Sequence, residues 1–192
     1  NALIAFEDGS YLEIIAFYRE APDHRWWEPL SKGERFVDFC LQTDDLRGDT
    51  KKLRDAGVAI NDPVPWARTR SDGYELKWLL SLVTGSQRGV APFLIEDLTP
   101  RNERVPQNFE HPNQVTGIEK VTFAADELES IENWYSSLLA KKPTAVTSSE
   151  LHASMGVYTS ELGRLAFGES RSRVRFASCA VMTRALVEDS AL

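Results

Sequence analysis

Tyr11-Leu12-Glu13-Ile14-Ile15-Ala16-Phe17 is a short apolar run with one carboxylate at its centre. A second run of the same kind, Pro92-Phe93-Leu94-Ile95-Glu96-Asp97, comes later in the chain. Short apolar runs rich in β-branched and aromatic residues read as buried strands. A carboxylate in such a strand requires a partner or a task, because burying an unpaired charge is expensive. Glu13 and Glu96 are therefore expected to face one shared cavity.

Working outward from Tyr11, the segment Ala2-Leu3-Ile4-Ala5-Phe6 is strand-like, and Glu7-Asp8-Gly9-Ser10 is a hairpin turn with Asp-Gly as its signal. Alternation along a strand puts Tyr11, Glu13, Ile15 and Phe17 on one face. The sequence opens at Asn1 inside a strand, so further residues upstream are expected. Residues 18–35 form a polar, aromatic-rich connection containing His24, Trp26 and Trp27. Two tryptophans in a loop either line a ligand pocket or plug the end of a sheet. His24 is the histidine to expect near a pocket, whereas His111, before Pro112, reads as structural.

Residues 36–43 make the next strand, with an unusually polar face of Phe36, Asp38, Cys40 and Gln42. Asp44 or Asp45 caps a helix over about 46–56 that Gly57 ends. A strand begins at 58–60 and is interrupted by Pro63 and Pro65. The stretch 68–73 is a loop with Arg68 and Arg70. In the long strand 74–83, Glu75, Lys77, Leu79 and Ser81 share one face. Residues 99–117 read as a linker, after which the pattern restarts. A strand at 118–124 is followed by a helix at 127–139 capped by Asp126, then by strands near 143–148, 155–161, 164–168 and 173–182.

The net charge of -7 argues against nucleic acid and anionic membranes as partners. No apolar run approaches the roughly 20 residues of a membrane span. Cys40 and Cys179 are isolated from each other in sequence, so no disulfide framework is expected and a reducing, cytoplasmic setting is the default. There is no nucleophile elbow, phosphate loop or dinucleotide fingerprint.

Residues 36–97 and 118–182 both read strand, helix, strand, strand, strand. An acidic residue followed by Leu introduces each helix, in Thr43-Asp44-Asp45-Leu46 and Asp126-Glu127-Leu128. Together with the stretches Asn1–Phe17, Ala67–Trp78 and Pro92–Glu96, this pattern resembles the glyoxalase-like family of the vicinal oxygen chelate superfamily. The resemblance covers residues 1–117, and beyond 118 only the module shape recurs. It implies an α+β fold in which βαβββ modules form a curved, half-open barrel of mixed sheet with helices outside. Residues 1–30 would be the C-terminal remnant of a first module, 31–110 a second module plus linker, and 111–192 a third module.

The resemblance further implies a divalent metal ion (Mg, Mn, Zn or Fe) held by Glu13, Asp38 and Glu96, the first and last strand positions of paired modules. Lys120 at the corresponding place in the third repeat cannot be a ligand while protonated. Oxygen donors suit hard cations, whereas zinc or iron would want an imidazole as well. Glu13 and Glu96 would then be the catalytic carboxylates, and a bound metal would polarise a substrate oxygen. Arg68, Arg70 and Lys77, with Trp26 and Trp27, would bind a small oxygenated, anionic substrate. This is the profile of a metal-dependent lyase, isomerase or dioxygenase, and it leaves room for a homodimer. Two alternatives stay open: a non-catalytic module that sequesters a small molecule, and a degenerate, metal-free scaffold. Asp38 would then simply pair with an arginine, and the three basic residues would neutralise Glu13 and Glu96.

Overall fold

The computed structural model describes residues 2–118, 121, 128–148, 153–157 and 175–182. In chain order the described strands are β1 (Ala2–Ala5), β2 (Tyr11–Ile15), β3 (Arg35–Gln42), β4 (Val64–Thr69), β5 (Glu75–Ser81), β6 (Phe93–Asp97), β7 (Thr144–Ser148), β8 (Ala153–Val157) and β9 (Arg175–Met182). The described helices are α1 (Trp27–Ser31), α2 (Leu46–Asp55), α3 (Arg101–Arg104) and α4 (Leu128–Leu139).

The expected strand–helix–three-strand unit forms from β3, α2, β4, β5 and β6. Asp45 starts α2 by accepting a hydrogen bond from the Gly48 N–H at 3.0 Å. Gly57 ends it in the left-handed region at φ 97°, where a side chain would strain the backbone. β3 runs parallel to β6, and β6 and β5 are antiparallel, as are β5 and β4. This places β4 at the edge of the sheet, where Pro65 lies inside the strand rather than breaking it. An edge strand has one side without partners, so a missing N–H there is tolerated.

Seven strands form one curled sheet in the order β1-β2-β9-β3-β6-β5-β4, while β7 and β8 form a separate hairpin. β9 fills the place between the N-terminal hairpin and β3, parallel to β2 and antiparallel to β3. The edge of β2 is thus covered by a later strand of the same chain.

The two faces of the sheet carry different cores. On the helix face, Phe39, Leu41 and Leu94 pack against Leu46 and Leu53 of α2 and Trp134, Tyr135, Leu138 and Leu139 of α4. On the concave face, Tyr11, Cys40, Phe93 and Ile95 cluster with Trp26, Trp78 and Leu80. The segment read as a linker also packs. Val105 is buried in this second cluster, Phe109 lies against it, and α3 forms within it. His111 Nε2 lies 2.8 Å from the Ala5 carbonyl oxygen, and the Asp8 N–H donates to the Thr116 carbonyl at 3.1 Å.

The expected cap Asp126, Lys120, His152, most of the strand at 118–124 and the strand at 164–168 lie outside the described residues. Among the described residues no helix is long and apolar enough to cross a membrane.

Candidate functional site

The concave face encloses a cavity of about 280 Å³. Strand alternation builds its wall. Tyr11 and Glu13 of β2, Phe93 and Ile95 of β6, Trp78 and Leu80 of β5, and Trp66 and Arg68 of β4 all point the same way. The connection before β3 adds His24, Arg25 and Trp26, and α3 adds Arg104. The wall is therefore mostly aromatic and aliphatic, with three guanidinium groups and one carboxylate.

Two of those guanidinium groups are anchored by acids. Asp38 is 3% exposed and accepts from Arg25 Nη2 at 2.7 Å, Trp26 Nε1 at 3.0 Å and the Phe39 N–H at 3.0 Å. Burial pushes the Asp38 carboxyl upward, and the Arg25 charge opposes that shift. The Arg25 guanidinium stacks over the Trp26 ring at 5.6 Å and the Phe93 ring at 5.5 Å. Its Nε and Nη1 are buried and have no hydrogen-bond partner among the described residues. Asp97 takes a two-pronged bond from Arg104, at 2.6 Å to Nε and 2.9 Å to Nη2, and a further one from Gln42 at 3.3 Å. Arg104 Nη1 donates to the Tyr11 hydroxyl at 3.0 Å. Burial would pull Arg104 down, but the bonds to Asp97 and Tyr11 hold it above the ordinary arginine value. Burial likewise raises the Tyr11 phenol and, further, the Cys40 thiol.

The structure brings together only part of the expected site. Glu13, Arg68 and Trp26 line the cavity, and so does His24. Trp27 instead sets its ring edge-on against Phe17 at 5.3 Å. Asp38 reaches the concave side but is engaged by Arg25 and Trp26, the pairing that the bland alternative foresaw. Glu96 is not in the wall. Because Phe93 and Ile95 point inward, alternation turns Leu94 and Glu96 toward the helices. Glu96 Oε2 there accepts the Leu46 N–H at 3.0 Å, at the first turn of α2. Glu13 and Glu96 thus do not share a cavity. Lys77, on the opposite face from Trp78, pairs with Glu75 at 2.7 Å, and Arg70 pairs with Asp72 at 2.6 Å outside the cavity.

The proposed metal donors therefore do not converge. Among the described residues no group of three His, Cys, Asp or Glu side chains could hold a metal ion. The register sets Ala180 of β9 opposite both Glu13 and Asp38. The described residues do not fit the oxygen cage that the resemblance implies.

Sequence reasoning missed Arg25, Arg104, Asp97, Trp66 and Phe93. The signal for Asp97 was present, since it neighbours Glu96 on a strand whose inward parity decides which acid turns to the concave side. Arg104 gave no local signal because it sits in the segment read as a linker.

A family model described as a glyoxalase-like domain matches residues 1–139. No curated protein matches the chain. A solved structure titled as a hypothetical protein from Staphylococcus aureus aligns with 14% identity and a TM-score of 0.41, over 77% of this chain and 53% of that one. The chain thus spans about half the length of that protein.

Proposed function

This chain belongs to the glyoxalase-like domain family of the vicinal oxygen chelate superfamily, and from that premise we propose that its lumen binds and sequesters a small, flat, largely apolar molecule. The observation that carries this reading is the aromatic cavity of about 280 Å³ on the concave face of the sheet. That volume matches about nine waters at roughly 30 Å³ each, which suits one or two fused rings. Pockets of this kind are apolar with a few convergent polar groups, and here those groups are three arginines with Glu13 and His24. The engagement of Asp38 by Arg25 and the outward turn of Glu96 weigh against a metal-dependent lyase or isomerase.

The test is a titration with neutral naphthalenemethanol, read by tryptophan emission, since Trp26, Trp66 and Trp78 all line the cavity. Saturable quenching is expected, with Kd on the order of 0.1–1 mM for a ligand of this size. Linear, non-saturating quenching would refute the reading. A second reading, proton transfer with Glu13 as base, draws on the place of Glu13 in the wall. It requires that the methyl protons of bound acetophenone exchange in D2O faster than in buffer, and that Glu13→Gln abolish the excess. Sequestration alone expects exchange at the buffer rate.

A further inference from the structure

We infer that the molecule held in the lumen carries one carboxylate, and that fixed guanidinium groups supply the positive charge it pairs with, without a metal; the inference rests on the small-molecule reading above. Three observations lead there. First, Asp38 and Asp97 on the concave side are already engaged, and Glu13 is the one carboxylate in the wall. Asp38 faces three N–H donors, and both oxygens of Asp97 face Arg104. A hard cation needs several oxygens with free lone pairs, and on each of these carboxylates three of about four are taken.

Second, the cavity presents three guanidinium groups against one carboxylate, Glu13. Asp38 and Asp97 sit behind Arg25 and Arg104 and hold them in place. The stacking of Arg25 over the Trp26 and Phe93 rings adds to that rigidity while its Nε and Nη1 stay without partners among the described residues. Arg68 has no acidic partner among the described residues and lines the cavity beside Trp66, two residues earlier on the same face of β4. An arginine fork matches the planar geometry of a carboxylate, and adjacent tryptophan faces match a flat ring.

Third, Arg68 and Glu13 reach the cavity from different strands of the curled sheet, β4 and β2. A ligand then lies with its carboxylate toward Arg68 on β4 and its ring on the aromatic floor. The ligand class that fits is a small aromatic carboxylic acid.

The experiment compares naphthoate with naphthalenemethanol, of the same ring size, in excess EDTA and again with added Mn²⁺ or Zn²⁺. Naphthoate is expected to bind at least about tenfold more tightly, as a charge-assisted pair provides. That ratio should not change between EDTA and metal. In Arg68→Gln the ratio should fall toward one, while Arg68→Lys should keep part of it because the charge remains. Arg68 is exposed on an edge strand, so thermal unfolding of these variants should track the parent. Equal affinity for the two probes would overturn the carboxylate inference and leave the small-molecule reading standing. Tighter naphthoate binding only with metal would overturn the metal-free part. Binding of neither probe would overturn the reading on which the inference rests.

Discussion

Replacing Asp38 by alanine is the sharpest test of how the cavity wall is held. The Asp38 side chain is 1% exposed and that of Arg25 is 18% exposed, so the ion pair between them is nearly dry. Removing one partner of a buried pair leaves the other charge uncompensated and costs about 3–5 kcal/mol. Arg25 retains some access to water, which favours the lower end of that range. Trp26 Nε1 and the Phe39 N–H also lose their acceptor. We expect a loss of about 3 kcal/mol by urea denaturation, or about 10 °C in Tm for a chain of this length. The attribution comes from a cycle with Arg25→Met. If the pair is the cause, the double variant recovers part of the loss, with a coupling of about 2 kcal/mol. Additivity within about 0.5 kcal/mol would refute the argument. If Asp38 instead served as a metal ligand, EDTA would lower the stability of the parent and leave the variant untouched.

Three further outcomes follow from other parts of the structure. Burial raises the Cys40 thiol from an ordinary 9.0 and the Tyr11 phenol from an ordinary 10.0, so the folded state favours both neutral forms. Their contribution is complete below those ordinary values and is lost as pH climbs toward the folded ones, at up to about 1.4 kcal/mol per pH unit for each group. Stability should therefore fall from about pH 9 upward, and Cys40→Ala should flatten the first part of that fall; an unchanged slope would sink the idea. Glu96→Ala should cost about 1 kcal/mol through the loss of the bond to Leu46 at the start of α2, without changing naphthalenemethanol affinity. A marked loss of affinity would return Glu96 to the ligand site. Ala180→Pro, in register with both Glu13 and Asp38, should cost about 3 kcal/mol or more and reduce hydrogen-exchange protection in β2. Full protection would mean that β9 does not join the hairpin to β3.

Where local chemistry decides structure, the sequence was readable. Asp45 and Gly57 bracket α2 as their cap preferences require, and the polar face read on residues 36–43 is the one that meets Arg25 and Asp97. Parity in β6 was harder. Phe93, Leu94 and Ile95 are apolar on both faces because the strand is covered on both, so no alternation marked Glu96 as outward. Pro65 suggested a break because edge position is a property of the finished sheet, not of the residues around it. The place of β9 was not readable at all, since it pairs with strands more than a hundred residues away and nothing local selects those partners.

The same parity argument explains why a family resemblance carries over the fold more safely than the chemistry. An acid on a first strand can ligate a metal or anchor an arginine, and the position alone does not distinguish the two. The distinction lies in what else reaches that spot. Here Arg25 comes from the connection before β3 and Arg104 from α3, both outside the strand–helix repeat that sets the fold. Each delivers a guanidinium within 2.7 Å of an acid on the concave side. A metal would have to compete with charges already covalently tethered there, at an effective concentration no free ion matches. Substituting both arginines by glutamine therefore gives the decisive comparison. It should lower stability, by leaving Asp38 and Asp97 as buried acids without counter-charges. If divalent cations then restore that stability while leaving the parent unaffected, the arginines are what keeps metal out of this lumen.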